Sequence, residues 1–145
     1  MARRVEEGLI DVLENSEWDR AVGPFWSSSR VARLLGLSDE EVFERSQRKK
    51  LLGLVARDGQ LVFPSFQFTQ SEDAGDYAVL QGLEEVMTPF ATVPESASLG
   101  WMIASWLKVG QFSLDGKSVI EYLRNGNPPS IAVSLSRERA MFWRT

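Results

Sequence analysis

The stretch Ser29-Arg30-Val31-Ala32-Arg33-Leu34-Leu35-Gly36-Leu37-Ser38-Asp39-Glu40-Glu41-Val42 sets the reading of this chain. Ala32, Gly36 and Val42 stand at the spacing of a helix-turn-helix. The small Ala32 lets two helices cross closely, and Gly36 takes the turn conformation that a Cβ resists. Val42 plugs the second helix into the first, whose buried face comes from Val31, Leu34 and Leu35. Ser38 with Glu41 three residues on predicts a capping box at the start of the second helix. Leu51–Val55 and Leu61–Phe63 then flank Asp58-Gly59, a two-residue hairpin signal. Residues 29–68 therefore read as a helix-turn-helix followed by a β-hairpin wing. Such a unit usually lays its second helix in the DNA major groove.

The net charge of −4 looks wrong for a DNA binder until it is divided along the chain. Residues 70–95 carry six acids and no basic residue, whereas residues 23–69 carry seven basic residues against five acids. Arg45, Arg48, Lys49, Lys50 and Arg57 face only Glu44 between positions 44 and 57. Phosphate contacts need only local positive charge, because counterion release acts near the surface. These five residues are the candidates for DNA contact, although cations late in a helix also complement its dipole. Asp39-Glu40-Glu41 stabilises the start of the second helix but repels phosphate. Any DNA contact is therefore expected from the later part of that helix and from the wing.

The chain of 145 residues is 43% hydrophobic, enough to bury a real core in one domain or two small ones. It has no cysteine and no histidine. Disulfides, thiolate metal sites, cysteine nucleophiles and Ser-His-Asp triads are excluded, and the commonest general base and zinc ligand are missing. No catalytic residue, metal site or cofactor is expected, and the composition argues against an enzyme. No apolar run is long enough to cross a membrane, and Met1-Ala2-Arg3-Arg4 leads straight into charged Val5–Glu7 without a signal peptide. A soluble cytoplasmic protein is the expectation.

Four segments are expected around this frame. Residues 1–22 hold an acidic amphipathic helix with Val5, Leu9, Val12, Leu13 and Trp18 at helical spacing, closed by Gly23-Pro24. Residues 23–69 hold the helix-turn-helix and wing, with Phe63, Phe66 and Phe68 anchoring the hairpin to the helices more readily than stacking on bases. The polar stretch 70–76 reads as a linker. Residues 77–145 read as a small helical domain with helices over Tyr77–Met87, Leu99–Val109, Lys117–Arg124 and a last one after Pro128-Pro129. The fold class is thus mainly α, a winged helix-turn-helix with a short β-hairpin followed by a small helical domain. Its abundant tryptophan suits a core and equally a protein–protein surface. The last nine residues combine Arg137, Arg139 and Arg144 with Met141, Phe142 and Trp143. Such a tail either docks on its own core through Phe142 or meets an apolar, acidic partner.

The stretch from Trp106-Leu107 through Leu114-Asp115-Gly116-Lys117-Ser118 to Glu121, Leu123 and Gly126 resembles the toxin-binding domain of the Xre/MbcA/ParS antitoxins. That family pairs a Trp-Leu with a Leu-Asp-Gly or Leu-Gly-Gly turn, then Arg-Ser/Thr-Pro and a short Leu-rich helix ending in Gly; Val119 stands here in place of its proline. Leu51-Leu52-Gly53-Leu54 and Val62-Phe63-Pro64-Ser65-Phe66-Gln67-Phe68 also look like the wing of chains of this type. The resemblance implies an antitoxin whose DNA-binding part represses its own operon while its helical part holds a cognate toxin, often a RES-domain protein acting on NAD. It points to Trp106, Asp115, Lys117 and Arg124, with the tail residues Arg137, Arg139, Trp143 and Arg144, for toxin contact. Duplex DNA, the toxin and a second copy of the chain are the partners expected, since paired half-sites call for a homodimer. The alternative is a stand-alone transcription regulator or excisionase-like DNA-binding protein without a toxin.

Overall fold

Two serines each start a helix by lending a hydroxyl to a backbone amide that the helix leaves unpaired. Ser27 accepts from Arg30 N at 3.2 Å and opens α1 (Ser28–Leu35). Ser38 accepts from Glu41 N at 3.1 Å while its own N–H donates to Glu41 Oε1 at 3.0 Å, the expected capping box, and opens α2 (Asp39–Gln47). Gly36, at φ 68°, makes the turn between them, where any side chain would be strained. Val31, Ala32 and Val42 are buried at the crossing with Leu51, Phe63 and Phe68. The structure, a computed structural model, describes residues 21–145. The helix expected over 1–22 therefore lies outside the described residues apart from Ala21 and Val22.

After α2 the chain forms the hairpin of β2 (Leu54–Val55) and β3 (Leu61–Pro64), its first strand two residues long where Leu51–Val55 was expected, because Leu51 and Leu52 turn into the cores instead. A strand the sequence did not announce, β1 (Phe25–Ser27), joins them in the antiparallel order β1-β3-β2. Phe25 pairs with Pro64 and Ser27 with Val62, while Leu54 also pairs with Val62. Three residues are too few to show alternation, and only β3 makes them a strand.

The stretch 70–76 is not a linker between domains. It lies in a hairpin, because β4 (Phe68–Gln70) and β5 (Tyr77–Val79) pair antiparallel with Phe68 opposite Val79. Tyr77–Met87, expected as one helix, is accordingly β5 followed by the short α3 (Leu83–Met87). The ring of Trp26 explains the change: it stacks on Phe68 at 4.9 Å and meets Tyr77 edge-on at 5.3 Å, holding β5 against the first helices.

The remaining helices are α4 (Leu99–Lys108), α5 (Val119–Arg124) and α6 (Ser130–Arg144), so the described chain is mainly helical with two small sheets. Their large core does not respect the expected division near residue 70. Val22, Leu52, Leu54 and Phe66 are buried in it beside Leu83, Phe90, Ile103, Leu107, Ile120 and Ala140. Two features lock the hairpin to this core. Gly100 of α4 lies so close to Gly53 that an added Cβ would sit 2.5 Å from the Gly53 carbonyl oxygen. Gln67, 0% exposed, accepts from Leu52 N at 2.8 Å and donates to Leu52 O at 2.9 Å and Pro64 O at 3.0 Å.

Candidate nucleic-acid and partner interfaces

The five cations expected to meet DNA occupy the end of α2, the segment after it and the hairpin tip. Each cation of the α2 end and the segment after it has an acid close by. Arg48 pairs with Glu44 one turn earlier at 3.0 Å, and Lys50 lies 3.8 Å from Glu84. Arg45, Arg48 and Lys50 line one cleft of about 280 Å³ together with Glu41, Glu44 and Glu84. Exposed pairs of this kind contribute at most about 1 kcal/mol each, so a phosphate can displace the carboxylate. Lys49 differs. Its side chain is only 11% exposed and both Glu95 oxygens hold its ammonium, so it ties the end of α2 to the loop before α4. Lys49 is a structural tie, in a left-handed conformation at φ 61°, and its charge is answered within the fold. Arg57 is exposed at the hairpin tip, where Ala56 N donates to Gln60 O at 2.7 Å and Gly59 N to Ala56 O at 2.8 Å.

The opening of α2 is acidic and exposed, with Phe43 also facing out. The Glu41 carboxyl is held below its ordinary value, first by the Ser38 backbone amide, then by the Ser38 hydroxyl, with Arg45 adding to both. It remains a carboxylate at neutral pH and works as the capping group.

The C-terminal candidates separate into core residues and surface residues. Trp106 is buried and meets Phe90 edge-on at 5.4 Å, and Trp143 lies on the same Phe90 ring at 5.1 Å. The tail docks through Trp143, whereas Phe142, expected to dock, is 67% exposed. Arg124 donates through Nη2 to Phe66 O at 2.7 Å, bracing α5 against the segment after the hairpin. Arg144 reaches Thr92 Oγ1 at 2.8 Å and shares with Arg137 a cleft of about 390 Å³ between α6 and the Thr88–Thr92 turn. Arg139 lies at the other edge of α6, its guanidinium 5.6 Å from the Phe142 ring.

Asp115 and Lys117 remain together on one exposed loop. Gly110 bridges Ser118, Gln111 N donates to Lys117 O at 3.0 Å and Gly116 N to Gln111 O at 2.9 Å, so residues 110–118 close on themselves. Asp115 and Gly116 take consecutive left-handed conformations at φ 57° and 83°. Asp and Gly are residues suited to such a turn. Ser118 and Glu121 then form a second capping box, at 3.1 and 3.2 Å, which fixes the loop to α5. The closed loop turns Phe112 fully outward, 99% exposed. The sequence carries no mark that sets Phe112 and Phe43 outward or Gln67 inward, because nothing local records which way a side chain faces.

Among the described residues no group of acids could hold a metal ion, and no helix is long and apolar enough to cross a membrane. Comparison with protein-family models, with curated proteins and with solved structures finds no match.

Proposed function

We propose that this chain is an antitoxin of the Xre/MbcA/ParS type, which binds operator DNA through a winged helix-turn-helix and a toxin through its C-terminal part. The observation that carries the reading is Phe112: the stretch that resembles the toxin-binding domain closes into a pinned loop that presents a bare aromatic ring. An aromatic ring held out on a pinned loop is the kind of anchor that a pocket on a partner receives. Asp115 and Lys117 stand on the same closed loop with one charge of each sign, and the loop is the toxin contact. On the other side, α1, the Gly36 turn and α2 are followed by the β2–β3 hairpin, the order of parts in a winged helix-turn-helix. Arg45, Arg48, Lys50 and Arg57 supply phosphate contact there, and the protein acts as a homodimer on paired half-sites.

The two halves are tested separately. Phe112→Ser leaves thermal stability unchanged and abolishes rescue of growth when the chain is co-expressed with the product of the adjoining reading frame. A variant that still rescues fully refutes the loop as the toxin contact. In gel shifts with its own promoter, wild-type affinity falls steeply with salt. Replacing Arg45, Arg48 and Lys50 by alanine lowers that salt slope by about 0.9 for each phosphate no longer neutralised. Equal affinity for the promoter and for random DNA refutes operator binding.

A further inference from the structure

The last helix carries two faces. Ala132, Ser136 and Ala140 turn into the core. About a third of a turn round the helix, Ile131, Leu135, Glu138 and Phe142 follow one another at spacings of four, three and four. That is the stripe by which two α-helices pack side by side. Its two ends are open, Ile131 48% and Phe142 67% exposed, while Leu135 between them is half-buried against the core.

We infer that a second copy of this chain docks on this seam, α6 against α6 and antiparallel, about a two-fold axis between Glu138 and Arg139. The charges choose the occupant and the direction. An isologous contact must be self-complementary, and this register places Leu135 opposite the partner's Phe142 and Glu138 opposite the partner's Arg139, each pair occurring twice. A parallel pairing sets Glu138 against its own copy, two like charges on the seam. Arg139 already stands beside the stripe, over the Phe142 ring at 5.6 Å. Beside it opens a cleft of about 390 Å³, lined by Trp106, Gln111, Leu135 and Phe142 and with room for a partner's aromatic ring. A helix of this length runs about 22 Å at ~1.5 Å per residue, so the seam alone falls short of the ~800 Å² per partner of a standard interface. The dimer is accordingly concentration-dependent.

This rests on the dimeric part of the proposed function, and it is tested on the chain alone, without DNA or toxin. Sedimentation equilibrium of the full chain, from micromolar to near-millimolar, reads the mass. Wild type passes from monomer to dimer over that range. Phe142→Glu stays monomeric with an unchanged circular dichroism spectrum, as an exposed position allows. Glu138→Arg and Arg139→Glu each weaken the dimer at least tenfold, and the double variant restores it. A wild type monomeric throughout, a dimer indifferent to Phe142→Glu, or a double variant as weak as the singles overturns the inference. Operator binding by a chain whose dimer ignores Phe142→Glu would leave the proposed function standing and this surface wrong.

Discussion

Replacing Gln67 by leucine keeps its approximate size and removes its amide from the middle of the core. Gln67 is fully buried, and its side chain satisfies both polar groups of the Leu52 peptide as well as Pro64 O. In Gln67→Leu the Leu52 N–H and C=O are left without these partners inside the core. Each orphaned group costs about 1–3 kcal/mol, while an apolar side chain in a buried site returns roughly 1–2 kcal/mol relative to an amide. At mid-range the two groups cost about 4 kcal/mol and the leucine returns about 1.5 kcal/mol, so the net loss is about 2–3 kcal/mol, or roughly 6–12 °C in Tm for a chain of this size. Thermal and urea unfolding followed by circular dichroism measure it, with Gln60→Leu at the exposed hairpin tip as the control. The urea slope stays unchanged, since the folded compactness does not alter. A loss below about 1 kcal/mol would show that water or backbone shift satisfies Leu52, and would refute the amide as the tie between hairpin and core.

Gly100→Ala reverses an ordinary rule: alanine in a helix usually gains about 1 kcal/mol over glycine. Here its Cβ meets Gly53 O, so urea unfolding shows a loss of about 1–3 kcal/mol. Ser38→Ala costs about 1 kcal/mol of stability through removal of the cap. Because the Glu41 carboxyl is held low in the folded state, its contribution is present above the unfolded value of about 4.5 and is lost as pH falls through the folded one. A pH series of wild type against Glu41→Gln therefore converges in acid. Ending the chain at Ser136 removes Ala140 and Trp143 from the core and is expected to leave unfolded or insoluble protein, whereas Phe142→Ser does not; soluble expression and Tm decide. Arg124→Ala loses about 0.5–1.5 kcal/mol with its bond to Phe66 O and leaves growth rescue intact, which separates bracing from toxin contact.

Local chemistry was legible from residues alone wherever neighbours in sequence decide the outcome. Ser38 with Glu41 and Ser118 with Glu121 form their capping boxes, Gly36 turns left-handed and Asp58-Gly59 makes its hairpin, because each bond closes within a few residues. Composition likewise excluded cysteine and histidine chemistry. Pairing over distance was not legible. Phe25–Ser27 is a strand only beside β3, and Tyr77–Val79 leaves the helical pattern only because β4 and Trp26 hold it. The exposed and buried roles of neighbouring aromatics also needed the fold: Trp143 packs on Phe90 while Phe142, one position earlier, faces out. Hydrophobicity fixes how much surface a residue gains by burial and says nothing of which face of its helix meets the core. Lys49 shows the same limit for charge, since only tertiary contact with Glu95 took it out of the basic patch. Sequence determined the turns, caps and chemistry this protein can have; long-range packing, whose loop-closure entropy no local pattern records, decided which of its rings and charges are left for a partner.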